Sequence, residues 1–281
     1  MPAVSGLKKK LKSVRAAGRL SKAMKTVATV KFSKLSTLFK NYSFYAEEYK
    51  QLCRSPDAEK VGAITKADAV VVLGANKNLC GSFNNELVSY FREKFPPEAL
   101  PDHFFVCGEA LAGILAENGY EGKIEKKFVF DDVPAFSECE ELCEALSALA
   151  AKKKDLRVTF VRPFYKNTLI QTPGTEVLIP DPGGDLAGTK DVLLIPDGAT
   201  VREEVIGKCF RAALYGAVLE TALGAQAATL MAMRSAYDTA KEYGEAIEGE
   251  LQRRRQQDVT ADVIETASEN AGADEGENAN G

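Results

Sequence analysis

One histidine and six cysteines are the residues that invite a chemical reading, and their spacing suits little chemistry. The single histidine, His103, falls in an apolar run, HFFV, and reads as a core histidine rather than a general base. Six cysteines stand at positions 53, 80, 107, 139, 143 and 209, with no CxxC among them. Cys139 and Cys143 are one helical turn apart, but with one histidine in the chain the remaining ligands are hard to assemble, so no metal site is expected. No apolar stretch near the start resembles a secretory signal, so the thiols are expected to be reduced. The loop GANKNLCG, Gly74 to Gly81, lies between a strand and a helix, where α/β folds bind ligands. It lacks both the GxGxxG spacing and the Lys-Ser/Thr that would hold a phosphate. GGDLAGTK, Gly183 to Lys190, has the glycine spacing of a phosphate loop but ends Thr-Lys and leads into a strand, DVLLI, so no helix N-terminus is available there. Both read as turns. No Ser-His-Asp or Cys-His arrangement is recognisable, and neither a catalytic residue nor a cofactor is expected.

What the chain does contain is helix. From Val201 to Glu269 there is no proline, and apolar residues fall three or four apart at Phe210, Leu214 and Ala217, at Leu223, Ala227 and Leu230, and later at Tyr237, Tyr243, Ile247 and Leu251. Such a helix would be roughly 100 Å long, more than a compact domain of this size can bury along its length. It needs a partner helix. At the other end Leu7, Leu11, Val14, Leu20, Met24, Val27, Leu35, Leu38, Tyr42, Tyr45, Tyr49 and Leu52 form a coiled-coil seam, with phase slips at Gly18 to Leu20 and near Lys31. A helix over 7–52 would be about 70 Å long, so in an antiparallel pair the C-terminal helix should overhang by about 30 Å.

The net charge is −4, but residues 1–46 carry eleven Lys or Arg and no acid, while seven acids and no base follow Arg255. Opposite charge at the two ends suits antiparallel helices. A basic helix also tracks phosphates, so a coiled-coil adaptor or basic nucleic-acid-binding protein is the alternative class. Against a transit peptide, the segment is dominated by Lys rather than Arg and its seam continues to Leu52. Nothing approaches eighteen consecutive apolar residues, which predicts a protein that is soluble or peripheral to a membrane.

Between the helical ends the texture changes. Strands are predicted at Asp68–Leu73, His103–Val106, Phe128–Phe130 and Arg157–Val161, alternating with helices at Phe83–Phe95, Leu111–Glu117 and Ser137–Lys154. That alternation predicts a parallel, Rossmann-like three-layer α/β domain. Asn167–Thr172, Glu176–Pro180 and Asp191–Ile195 read as hairpin strands joined at Pro173-Gly174 and at the 181–190 loop. The organisation is therefore an N-terminal coiled-coil helix over 1–60, a central α/β domain over 61–200, and a C-terminal coiled-coil helix over 201–270. An acidic tail over 271–281 is expected to be disordered.

Several segments resemble one family. Ser13-Val14, the run Lys22-Ala23-Met24-Lys25-Thr26-Val27-Ala28, and Lys31 are similar to the N-terminal signature of F-type ATP synthase gamma subunits, SV followed by KITKAMKMVAxxK. Leu79-Cys80-Gly81-Ser82-Phe83-Asn84 looks like that family's GLCGxxN segment. Glu220, Met231-Ala232-Met233, Ala236, Ala240, Arg255-Gln256, Thr260 and Glu265 match its C-terminal helix without a gap. The chain departs from it at Gly224-Ala225, where the family usually has Ser-Glu, and at Ala228-Thr229-Leu230, where it has Ala-Arg-Met.

The resemblance implies a central rotor shaft that transmits torque between a membrane ring and the catalytic beta subunits, coupling proton flow to ATP synthesis or hydrolysis. It implies a non-catalytic subunit whose partners are the alpha and beta subunits, the epsilon subunit and the ring of c subunits, on the cytoplasmic face of the cell membrane. By resemblance, the residues facing the beta subunits are Lys22, Met24 and Lys25 on one helix and Arg255, Gln256 and Thr260 on the other. Arg255, able to grip a carboxylate with two parallel bonds, is the expected catch.

Overall fold

The computed structural model describes residues 2–52, 67–153, 156–178 and 197–277. Helix α1 (Pro2–Leu52) opens the chain and α5 (Gly198–Glu277) closes it. Between them come β1 (Ala69–Leu73), α2 (Phe83–Lys94), β2 (His103–Cys107), α3 (Glu109–Leu115), β3 (Lys126–Phe128), α4 (Glu140–Lys152), β4 (Val158–Tyr165) and β5 (Gln171–Leu178). The fold is the expected one, an α/β domain with long helices from both termini.

Packing divides the chain into two compact units, residues 1–24 with 233–281, and residues 25–232. The second holds the sheet, in the order β3-β2-β1-β4-β5. The first four strands are parallel and β5 pairs antiparallel with β4. Central strand β1, AVVVL, is buried at every position, which is why its sequence is continuously apolar rather than alternating. On one face Val70, Val72, Phe104 and Val106 pack against Leu87, Val88 and Phe91 of α2 and Leu111 and Leu115 of α3. On the other, Val71, Leu73, Phe105 and Phe160 pack against Leu142 and Leu146 of α4, Leu35 of α1, and Phe210, Leu214 and Val218 of α5. The α/β unit therefore takes in residues 25–52 and 198–232 of the terminal helices as its outer layer.

Several expectations need correction. Pro173-Gly174 is no turn. Strand β5 runs straight through it, with Pro173 opposite Pro163 and Gly174 opposite Arg162. Pro is tolerated on an antiparallel end strand, and Gly174 leaves room for the Phe164 ring, whose nearest carbon would lie 2.7 Å from an added Cβ. The turn is at 166–170, where the Asn167 side chain accepts bonds from the amides of Leu169 and Ile170. Strand β3 ends at Phe128 instead of starting there. His103 begins β2 half-exposed, 2.8 Å from the Glu125 carboxylate, and is not a core histidine. Cys80, Cys107, Cys139 and Cys143 are free and buried, but Cys209 is disulfide-bonded, contrary to the reduced state expected. Burial raises the thiols of Cys139 to about 12 and Cys143 to about 11, far from nucleophilic character.

Helix α5 continues to Glu277, past the end expected near Asn270. Ala271, Ala273, Glu275 and Glu277 are good helix formers, and extending an existing helix costs far less than nucleating one. The segment 181–190 with its phosphate-loop-like glycines and the strand expected over 191–195 lie outside the described residues.

Candidate functional site

In the unit formed by residues 1–24 and 233–281, α1 and α5 pack antiparallel. A Cβ added to Gly18 would lie 3.3 Å from the Cβ of Ala240, and one added to Gly244 would touch Val14 and Leu11. Ile247 and Leu251 complete the buried edge of α5. Polar ties flank it: Arg15 pairs with Glu248, and the Lys10 ammonium sits 5.0 Å above the Tyr243 ring.

The buried stripe of α1 does not slip. It runs through Leu7, Leu11, Val14, Gly18, Ser21, Lys25, Ala28, Phe32, Leu35, Phe39 and Tyr42 in steps of four and three. Leu20 is 65 % exposed, Val27 47 %, Tyr45 48 % and Leu38 36 %, so four residues assigned to the seam by size face outward. Small residues stand on the true stripe at Gly18, Ser21 and Ala28, and at Gly18 the two helices come close. The signal was present in the spacing, but only if Gly, Ser and Ala count as contact positions.

Extended to the start of α1, the register brings Pro2 level with about Gln256, so some twenty residues of α5 continue for about 30 Å beyond the end of α1. Every side chain from Gln252 to Thr266 is exposed. The expected contact residues fall into two groups. Lys22 is exposed and Met24 half-buried in the paired part; Lys25, half-buried, belongs to the α/β unit. Arg255, Gln256 and Thr260 are all exposed, at and beyond the end of the paired part. Lys22 and Arg255 lie roughly 30 Å apart along the pair, nineteen residues of α5 at about 1.5 Å each. The structure does not bring the two groups together. Arg254 is tied to Glu250 one turn back, whereas among the described residues Arg255 has no ion pair, so its guanidinium is available to a partner. Thr260 donates its hydroxyl to the Gln256 carbonyl at 2.8 Å and adds no free donor.

The α/β unit's own ligand position is closed. In sheets of this kind ligands bind beyond the carboxyl ends of the strands. Here the loop after β1 is held by the buried Asn84 side chain, which accepts from the Ala75 amide at 2.9 Å and donates to its carbonyl at 3.2 Å. Gly108, at φ +122°, approaches the carbonyls of Gly74 and Ala75 so closely that a Cβ would lie 2.9 Å from the first. Cys80 and Phe83 fill the remaining space together with Ala225 and Ala228 of α5. The departure from the family pattern is thereby compensated: a Cβ at Gly224 would lie 3.3 Å from the Phe83 ring, and a glutamate at position 225 would enter an apolar cluster. Asn84, quoted above as a motif residue, proves to be a structural clamp.

A family model described as ATP synthase matches residues 3–271. The ATP synthase gamma chain of Rubrobacter xylanophilus is 27 % identical over 295 residues, covering 95 % of this chain and 97 % of its own. That of Rhizobium leguminosarum is 27 % identical over 294 residues, covering 95 % and 98 %. Among solved structures, a chain of the Euglena gracilis mitochondrial ATP synthase in rotational state 3 superposes with a TM-score of 0.71 at 16 % identity, over 95 % of this chain and 93 % of that one. With the family model spanning nearly the whole sequence, the chain belongs to the gamma family of ATP synthases, whose members are the non-catalytic central shaft of the rotor.

Proposed function

We propose that this chain carries torque between a membrane-embedded ring and the catalytic beta subunits of a proton-translocating ATP synthase, and that two separate levels of the helix pair contact those subunits. The observation that carries the reading is the asymmetry of the pair: two helices packed along a seam of small residues, continued by one helix with every side chain from 252 to 266 exposed. A shaft needs no acid, base or nucleophile. It needs faces that differ with angle, so that each orientation favours a different conformation of the surrounding subunits. Lys22, Met24 and Lys25 form the lower contact, and Arg255, Gln256 and Thr260 the upper. The alpha and beta subunits surround the helices, and the epsilon subunit and c ring hold the α/β domain. The complex is membrane-associated, and we place this subunit on its cytoplasmic face.

Two measurements test this. Co-expressed with alpha and beta subunits, the chain should co-purify with them; its appearance alone would count against the assignment. In the assembled complex Arg255→Ala should lower ATP-driven proton pumping severalfold, because a charge-assisted two-pronged bond is among the stronger polar contacts. The variant should keep the helical content of the parent. Pumping equal to the parent's would remove Arg255 from the catch.

A further inference from the structure

The α/β unit contains one strongly buried ionic cluster that neither the sheet nor the contact surfaces explain. Arg162 of β4, its side chain 6 % exposed, donates from Nε and Nη2 to the Glu176 carboxylate of β5 at 3.1 and 2.8 Å, and from Nη1 to Glu220 of α5 at 2.6 Å. The other oxygen of Glu220 accepts the Tyr165 amide at 2.9 Å. The guanidinium lies 4.0 Å from the centre of the Phe164 ring, the ring for which Gly174 makes room. Two strands and a long helix thus meet at one charged group.

A cluster of this kind gives little net stability, because desolvating three charges offsets most of their attraction, and apolar replacements of similar volume are often neutral. What it supplies is direction. The hydrophobic effect is non-directional, and apolar surfaces hold their relative position only through the fit of their side chains. The larger apolar residues of α5, Phe210, Leu214 and Val218, face the sheet core, and its small residues lie beside the cluster. The helix presents Ala213, Gly216 and Ala217, and a cavity of about 120 Å³ opens between them and Phe39 and Tyr42. Short charge-assisted bonds fix a lateral position in a way that such a surface does not.

We infer that Arg162, Glu176 and Glu220 form the key that fixes β4 and β5 against α5, so that torque entering at the sheet reaches the shaft helix without slip. This rests on the rotor reading. The three residues touch no substrate; they are positioning residues.

The test uses the complete complex in vesicles, carrying the triple variant Arg162→Met, Glu176→Gln, Glu220→Gln, which leaves no uncompensated charge. ATP hydrolysis should stay within about twofold of the parent while protons pumped per ATP fall roughly fivefold or more. A thermal midpoint equal to the parent's, alongside that loss, separates alignment from mere stability. Glu220→Gln alone, which keeps an acceptor for the Tyr165 amide, should lie between the two and serves if the triple variant fails to assemble. An unchanged pumping ratio in either assembled variant overturns the key, as does a loss of pumping matched by an equal loss of hydrolysis. A parent complex that assembles but does not pump overturns the rotor reading first, and the key with it.

Discussion

The two packing units are built to opposite rules. In residues 25–232 the central strands β1, β2 and β4 are buried on both faces and the aromatic rings interlock, Phe91 stacking on Phe95 and Phe104 with centroids 5.4 and 5.3 Å away and meeting Tyr120 at 5.2 Å. In residues 1–24 and 233–281 burial is confined to one stripe, and that stripe is filled by glycines as well as by Ile247 and Leu251. The sheet unit gains its rigidity from volume, the helix pair from closeness. A substitution that removes atoms should therefore damage the first, and one that adds atoms should damage the second.

The largest effect is expected at Phe91, fully buried between α2 and the sheet. Phe91→Ala should cost about 3–5 kcal/mol of stability in denaturant unfolding. A cost below one kcal/mol would mean that the stacked rings are not packed as described. Next is Gly18→Leu, which forces a branched side chain into a gap where even a Cβ is tight; it should cost about 1–3 kcal/mol and speed hydrogen exchange in residues 4–24 while sparing β1. Gly244→Ala should act in the reverse sense. Its Cβ would meet Val14 and Leu11 at ordinary contact distance, and the helix gains about 1 kcal/mol of propensity, so exchange in residues 240–250 should slow. Equal exchange rates would show that the pair is not closed there.

The smallest effect is expected at Asp132, which accepts bonds from Lys31 of α1 and Lys77 of the loop after β1. Burial pushes its carboxyl up, but the two ammonium groups outweigh this and hold it below the usual range. A depressed folded value means that the stabilisation is fully present above the unfolded Asp range, near pH 4, and disappears as pH falls through the lower folded value. Asp132→Asn should flatten that part of the acid-unfolding curve and leave the curve above pH 5 parallel to the parent's.

The same contrast decides what could be read from the sequence. The sheet unit was legible because its signals are large: a β-branched run at Ala69–Leu73, an Asn84 that falls at the helix start, acids at the head of α4. The helix pair was legible as helix, yet its contacting face was not, because side-chain size marks a seam only where helices stand apart. Leu20, Val27 and Tyr45 are large and outward; Gly18 and Ala28 are small and inward. The Arg162 cluster was invisible for another reason. Its three members lie 14 and 44 residues apart along the chain, and only strand pairing and helix packing bring them together. Pro173-Gly174 misled because a dipeptide typical of turns also suits a strand at the end of a sheet beside an aromatic ring.

The unaccompanied length of α5 beyond Gln256 has a further consequence. A helix of some twenty residues isolated in water interconverts with coil in about a microsecond or less, and every side chain from Gln256 to Thr266 is exposed. Whatever sleeve receives that segment must therefore supply its straightness as well as its guidance. On the rotor reading proposed above, a bearing would act as a mould for the axle tip, and a loose sleeve would soften the axle it holds.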